Sequence, residues 1–336
     1  MKASGRKYQI AVIGGDGIGP DVVQEALKVL TATGTPFDSK RFDISGERYL
    51  RDGETLSNTT VHELRKFDAI LFGAIGTPEV PPSILERGII LKLRFDLDLY
   101  INMRPVKGVA PGQTKGHEIV VIRENTEGSY VGEGGVLRRG TDYEVATQGS
   151  VNTAFGVARC VRYAFELAAS RPRRHLTLVH KTNILQYSGD LWQRIFDQVA
   201  VEFPTVTTAY FHVDAACIYF VNDPHRFDVI VTDNLFGDII TDLGASISGG
   251  IGRAASANLN PMRSNPSLFE PVHGSAPDIA GKGIADPTAA ILSAALMIDF
   301  LGENEAATRI TAACQEPAFG STKEIGDTIA SRVSRS

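Results

Sequence analysis

The stretch Gln9–Thr31, QIAVIGGDGIGPDVVQEALKVLT, decides between two α/β folds. Gln9 to Ile13 is a short apolar run that reads as a strand, and helical periodicity begins at Asp21 and extends to about Thr31. A strand, a glycine-rich turn and a helix in that order invite a dinucleotide-binding reading, which requires G-x-G-x-x-G. Gly15, Gly17 and Gly19 do not fit that spacing, and Pro20 opens the helix where the third glycine would pack against the strand. The chain is therefore expected to be α/β but not Rossmann. The glycines are expected to make a tight turn at the edge of a cleft, with a phosphate cradle as the alternative.

Working outward, a strand is expected near Phe42 and a helix over Leu56–Lys66, started by Ser57 or Asn58. Asp68–Ala74 contains AILFGA, a continuous apolar run suited to a buried parallel strand. A Gly/Pro loop follows, and the next helix is expected from Ser83 to about Leu97. Further strands are expected at Glu118–Ile122, Leu176–His180 and Val229–Val231, with helices at Asn152–Ala169 and Leu191–Val201. The stretch from Asp286 should form one or two apolar helices, and the tail from Gly320 a short one. Strands alternating with helices imply a mixed, mostly parallel sheet. At 336 residues the chain exceeds what one core usually holds, so two domains are expected. Met103–Gly112 and Gly249–Asn260 are the best candidates for crossings between them.

The formal charge of −5 and pI near 5.8 argue against broad attraction to nucleic acid or a membrane surface. A small anionic substrate needs only a local basic pocket. Cys160, Cys217 and Cys314 are scattered without C-x-x-C or His pairing, which suggests buried free thiols rather than disulfides or zinc. The N-terminal MKASGRKYQIAVIGG lacks an apolar signal core, and no apolar run is long enough to span a bilayer. A cytoplasmic location is expected.

The densest chemistry lies in DNLFGDIITDLGASISGG, Asp233–Gly250. Phe236 to Leu243 reads as the start of a helix, so Asp238 and Asp242 lie one turn apart on one face. Two like charges there cost stability, and Mg²⁺ or Mn²⁺ is the usual compensation for oxygen ligands so placed. A solvated helix start, where aspartate is favoured by the macrodipole, is the plainer reading. Asp214, in the apolar run YFHVDAACIYFV, would be costly if buried unpaired, and three such carboxylates suggest one cation site. Arg94, Arg104 and Arg123 each lie beside apolar sequence, and converging arginines suit a substrate with more than one carboxylate. Taken singly, each would be a surface ion pair. Lys181 comes directly off a strand in LVHKTNIL, and Tyr130 follows ENTEGS in a glycine-flanked loop. Such a lysine can serve as general base and such a tyrosine as proton donor, although either can be structural. The loop FEPVHGSAPDIAGKGIADP, Phe269–Pro287, is long, rich in Gly and Pro, and of a kind that is usually functional. His273 could lie against an adenine and Asp278 could accept from a ribose diol, which favours NAD over its 2′-phosphate form. Alternatively Asp278 caps the bend that follows.

Together GGDGIGPDV from Gly14, DNLFGDIITDL and EPVHGSAPDIAGKGIADP resemble the metal-dependent β-hydroxyacid oxidative decarboxylases, the isocitrate/isopropylmalate dehydrogenase family. The resemblance implies that family's two-domain fold, with a large cofactor-binding domain of residues 1–102 and 250–336 and an inserted central domain of 103–249. The inserted domain would carry the dimer interface and the metal carboxylates. It implies a homodimer with shared active sites, in which Lys181 and Asp214 reach the site of the neighbouring subunit. Arg94, Arg104 and Arg123 would bind the malate carboxylates, with Asp214 beside them. Asp214, Asp238 and Asp242 would hold Mg²⁺ or Mn²⁺. Lys181 would take the hydroxyl proton and Tyr130 would protonate the enolate left by loss of CO₂. NAD would lie against His273, Gly274, Ser275, Ala276, Asp278, Ile279 and Asp286. Family members acting on isocitrate place Ser and Asn before the first arginine. Here Ile89, Ile90 and Leu91 stand there, and Ile184 follows Asn183 after Lys181, an apolar lining that points to 3-isopropylmalate and leucine biosynthesis. Homoisocitrate, tartrate or another alkyl- or aryl-substituted malate is the alternative substrate, and a catalytically silent binding subunit is the alternative class.

Overall fold

The computed structural model describes residues 6–107, 118–247 and 250–335. The chain divides into two compact units, Met1–Leu99 with Gly250–Ser336, and Tyr100–Gly249. The first boundary thus falls just after Leu99, whereas the expected crossing at Met103–Gly112 belongs as far as Lys107 to a strand, Ile101–Lys107, and beyond it lies outside the described residues.

The first unit opens with β1 (Tyr8–Gly15), α1 (Gly19–Ala32), β2 (Phe37–Arg41), α2 (Gly46–Asp52), α3 (Asn58–Leu64), β3 (Ala69–Ala74) and α4 (Lys92–Asp96). The second holds β4 (Ile101–Lys107), β5 (Glu118–Glu124), β6 (Gly134–Leu137), β7 (Val145–Gln148), α5 (Ala154–Ser170), β8 (His175–His180), α6 (Gln186–Ala200), β9 (Thr207–His212), α7 (Val213–Asn222), β10 (Val229–Thr232) and α8 (Asn234–Ile247). The chain then completes the first unit with β11 (Ala255–Leu259), β12 (Ser267–Pro271), α9 (Thr288–Leu301), α10 (Asn304–Ala313) and α11 (Thr322–Arg335).

In the first unit the strand order is β2-β1-β3-β12-β11, parallel except where β12 meets β11. Every residue of β3 is buried, as its unbroken apolar run requires of a central parallel strand. The glycines after β1 serve packing. A Cβ on Gly19 would come within 2.2 Å of the Gly14 carbonyl oxygen, and one on Gly73 would meet the same atom at 2.2 Å and Gly19 Cα at 2.9 Å. The start of α1 therefore rests on β3 with no side chain between them. Gly17, at φ +58, sits 2.0 Å from Ser275 O by the same measure, and Ile18 N donates to that oxygen at 2.9 Å. The turn docks onto the loop that follows β12. Within the turn, the buried Asp16 carboxylate accepts from Gly46 N and Gly76 N, which pins it to the start of α2. The expected helix over Ser83–Leu97 forms only in part: Glu86–Leu91 is a π-helical turn leading into α4.

The second unit orders its strands β4-β5-β10-β8-β9, parallel except for β4 against β5, with β6 and β7 forming a separate antiparallel hairpin. Ile119 and Val121 of β5 face a core shared with Ala216 and Phe220 of α7 and Ile240 of α8. The two-residue period of a strand carries Arg123 to that same face. The sequence gives no expectation for α2, β4, β6, β7, β9, α7, β11 or β12. β4 contains Pro105, β9 is an edge strand, and β11 (ASANL) is buried through small and polar residues that carry no apolar signal.

Gly73→Ala should overpack the junction of β3 and α1. Urea unfolding is expected to show a loss of about 2 kcal/mol or more, and an unchanged midpoint would contradict the packing described.

Candidate active site

Helix α8 begins at a well-made cap: Asp233 Oδ1 accepts from Phe236 N at 2.8 Å. Asp238 and Asp242 therefore sit in the body of the helix rather than in its first turn, where the dipole would favour them. The structure shows what offsets their repulsion. Arg123, 1% exposed, donates through Nη1 to Asp238 Oδ1, and its Nε and Nη2 share Asn234 Oδ1 at 3.0 and 2.7 Å. Buried Arg104 on β4 donates to Thr241 Oγ1 at 2.7 Å and lies 3.3 Å from Asp238 Oδ1 and 3.7 Å from Asp242 Oδ1. Two guanidinium groups thus compensate the carboxylates within one chain, where the sequence alone suggested a cation as the compensation.

Glycine makes this possible. A Cβ on Gly237 would come within 2.5 Å of Arg123 Cγ, so only glycine lets the arginine stem run along the helix. Tyr130 stands in a short 3₁₀ turn, Ser129–Val131, and donates its hydroxyl to Asp238 Oδ2 at 2.7 Å. Its ring faces the Arg123 guanidinium, whose carbon is 5.1 Å from the ring centroid. Asn234 Nδ2 donates to Glu127 O at 3.0 Å, tying the loop that carries Tyr130 to the same helix. Burial, reinforced by Asp238, holds the Asp242 carboxyl above its usual range, and Arg104 acts in the opposite direction. Asn234, Thr241 and Gly237 were not singled out in the sequence. Their signal was their place on the helix face occupied by Asp238.

Lys181 follows the last residue of β8 and lies 2.8 Å from Asp214 Oδ2. Asp214 is not buried in an apolar run: it occupies the first turn of α7, and its side chain is 67% exposed. Its hydrogen bond to Lys181 lowers its pKa, as do backbone amides of the helix start. Asn183 and Ile184, in the turn that follows Lys181, are both exposed. Among the described residues of one chain, no three His, Cys, Asp or Glu side chains form a group able to hold a metal ion.

The remaining candidates lie in the first unit. Arg94 is buried on α4, with Nη2 3.8 Å from Glu270 Oε1, and Glu270 also accepts from Asn258 Nδ2 at 2.7 Å. Ile89 and Leu91 are buried, leaving Ile90 half-exposed on the π turn. In the loop after β12, His273 Nδ1 lies 2.9 Å from Gly274 O, and burial pushes the imidazole below its usual pKa. Gly274 is exposed, Ser275 is buried, Ala276 adopts φ +43, and Asp278 and Ile279 stand in a turn closed by Ile279 N and Ala276 O. Asp278 itself is exposed. Asp286 Oδ1 accepts from Thr288 N at 2.9 Å and so helps to start α9.

With this geometry in view, the comparisons with known proteins are specific. Residues 9–332 match the model of the isocitrate/isopropylmalate dehydrogenase family. A 3-isopropylmalate dehydrogenase of Corynebacterium efficiens is 58% identical, over 97% of this chain and 99% of its own. One of Streptomyces coelicolor is 56% identical over 98% and 99%. Among solved structures, an isocitrate dehydrogenase of Methylococcus capsulatus superposes with TM-score 0.87 at 36% identity, covering 97% of this chain and 99% of that one. A β-decarboxylating dehydrogenase of Thermococcus kodakarensis gives 0.81 at 36% identity, covering 98% and 96%. The chain belongs to the isocitrate/isopropylmalate dehydrogenase family and is a decarboxylating dehydrogenase. No described helix is long and apolar enough to cross a membrane.

One buried pair adds a pH signature. His180 is fully enclosed, stacked on Trp192 and edge-on to Phe236, with Nε2 3.5 Å from Asp233 Oδ2. Burial pushes Asp233 up to about 6 and His180 down to about 4. The raised carboxyl contributes stability at low pH that is lost as pH rises toward 6. The depressed imidazole contributes stability at neutral pH that is lost as pH falls toward 4. The two effects oppose each other over one window and largely cancel. His180→Phe, which keeps the ring contacts, removes one of them. Its stability relative to wild type, followed by urea unfolding from pH 4 to 6.5, should decline as pH rises, and a parallel pair of profiles would contradict the assignment.

Proposed function

We propose that the chain catalyses the NAD-dependent oxidative decarboxylation of 3-isopropylmalate, a step of leucine biosynthesis. The observation that carries the reading is the α8 site. Two carboxylates one turn apart lie beside two buried guanidinium groups and a tyrosine hydroxyl, an arrangement suited to a hydroxy diacid and a cation together. The near full-length likeness to proteins named 3-isopropylmalate dehydrogenase supports the substrate.

Arg104 and Arg123, joined by Arg94, would grip the two carboxylates of the substrate and fix its orientation. Asp238 and Asp242 offer hard oxygen donors on one helix face, and Asp242, held above its usual range, is the kind of carboxyl that a nearby dication would ionise. With Asp214 of the partner subunit they would hold Mg²⁺ or Mn²⁺. Bound there, a dication would polarise the substrate oxygens, and NAD would accept hydride. Lys181, contributed together with Asp214, would remove the hydroxyl proton through Nζ. After CO₂ departs, the Tyr130 hydroxyl would return a proton to carbon, and its bond to Asp238 keeps it aimed. In the first unit, His273 through Ala276 with Asp278, Ile279 and Asp286 would line the nucleotide, and the Asp278 carboxylate would favour a ribose diol over a 2′-phosphate. Ile90 and Leu91, with Asn183 and Ile184, would meet the alkyl group.

A homodimer fits the exposed apolar side chains. Ile218 and Val221 on α7, Leu235 and Ile239 on α8, and Val136, Leu137 and Val145 on the β6–β7 hairpin all face away from the core. A second copy covering them would also bring in the second Lys181 and Asp214. A cytoplasmic setting accords with a biosynthetic enzyme of small acids.

A panel of 3-substituted malates assayed with NAD⁺ and Mn²⁺ tests the substrate. The isopropyl compound should lead in kcat/KM by roughly tenfold or more over homoisocitrate and tartrate, and a clear preference for either rival would move the assignment to that substrate. Lys181→Ala should lower kcat by about 10²- to 10⁴-fold while the dimer persists in size-exclusion chromatography, and undiminished turnover would refute its role as base.

A further inference from the structure

Lys181 and Asp214 present a problem of order. Both are partly exposed, 24% and 67%, so packing alone does not fix them, and a lysine side chain gives up much rotamer freedom when held in one place. Backbone hydrogen bonds from Ile184 N and Leu185 N to Lys181 O close the lysine's turn, and a phenol ties that turn to the start of α7. Tyr210 on β9 lies opposite Leu178 of β8, and its ring reaches up to the turn after that strand. Its hydroxyl accepts from Thr182 N at 3.1 Å, shares a hydrogen bond with Thr182 Oγ1 at 2.8 Å, and meets His212 Nδ1 at 2.8 Å. One donor and two acceptor sites are thereby filled by three partners.

The partners matter by position. Thr182 directly follows Lys181, and His212 is the residue before α7, whose first turn holds Asp214. The His212 ring stands perpendicular to that of Tyr210 at 5.2 Å, an edge-on contact beside the hydrogen bond. From the other side, α6 presses on the same turn: a Cβ on Gly189 would come within 2.7 Å of Thr182 Cα. The turn is held between a hydroxyl and a helix.

We propose that Tyr210 is a positioning residue, a staple whose hydroxyl fixes the Lys181 turn to the start of α7 so that the lysine and Asp214 enter the neighbouring site as one preset pair. The inference rests on the reading of Lys181 as the base. The Tyr210 hydroxyl bonds to Thr182 and His212, not to either member of the pair. It acts through the backbone, where a displacement on the order of 1 Å can cost about 10²-fold in rate.

The test uses the full-length dimeric protein as Tyr210→Phe, Thr182→Val and the double variant, assayed with 3-isopropylmalate, NAD⁺ and Mn²⁺. Tyr210→Phe should lower kcat by roughly 10- to 100-fold, leave KM for NAD⁺ unchanged, and raise the primary deuterium isotope effect on kcat as proton and hydride removal become limiting. Calorimetric binding of substrate and Mn²⁺ without nucleotide should weaken by no more than about tenfold, and the thermal midpoint should fall little. Thr182→Val, which keeps the amide bond, should lose less, and the double variant should be no worse than Tyr210→Phe. A kcat per folded protein within about twofold of wild type, with only the thermal midpoint lowered, would reduce Tyr210 to a structural role and overturn the proposal. Multiplicative losses in the double variant would do the same. Should Tyr210→Phe not fold, Thr182→Val decides alone, by whether kcat falls with KM for NAD⁺ constant. Lys181→Ala run in parallel separates the two layers: activity there sinks the base assignment, whereas its inactivity beside a fully active Tyr210→Phe sinks only the staple.

Discussion

A guanidinium out of contact with water at the end of a parallel strand is the constraint around which the second unit is built. Arg123 is 1% exposed, and an isolated charge there would be prohibitive unless paired and hydrogen-bonded. Its partners come from one helix: Asn234 at the first turn and Asp238 at the second. That requirement fixes α8 against β5, forces glycine at 237 so that the stem can pass, and sets Asp238 where Tyr130 and Arg104 also reach it. The pairing stabilises the fold and concentrates charge at one surface of the unit.

The same economy operates in the first unit through absence of side chains. Gly14, Gly19 and Gly73 let α1 lie directly on β3, and Gly17 lets the turn between β1 and α1 dock on Ser275. The loop proposed to line the nucleotide is thereby anchored to a fully buried strand, β3, through two short contacts. The glycine-rich turn thus acts as a clamp on a neighbouring loop.

Much of this could be read before the structure, and the exceptions have physical causes. β3, β5, β8 and β10 announced themselves as apolar runs because parallel strands are buried on both faces. β11 did not, since its burial is achieved with Ala, Ser and Asn. The motif around Asp238 was legible, yet its charge balance was not, because Arg104 and Arg123 stand more than a hundred residues away and only β-sheet pairing brings them alongside. Asp214 was misjudged by the company it keeps: an apolar run on a helix still turns some positions outward, and the first turn of α7 is one. The contact of Tyr210 with Thr182 carries no sequence signal either, because strand pairing alone brings β9 beside the turn that follows β8.

The central proposal is that Lys181 and Asp214 of one protomer complete the Arg123–Asp238 site of another. It is tested most directly by mixing two inactive variants, Lys181→Ala and Asp238→Asn, under conditions that exchange subunits. In a mixed dimer one site would join an intact Lys181 to an intact Asp238, so random reassortment should restore about one quarter of wild-type turnover. A mixture that stays inactive despite verified exchange would contradict a shared site and place Lys181 and Asp238 of the same chain in the same centre.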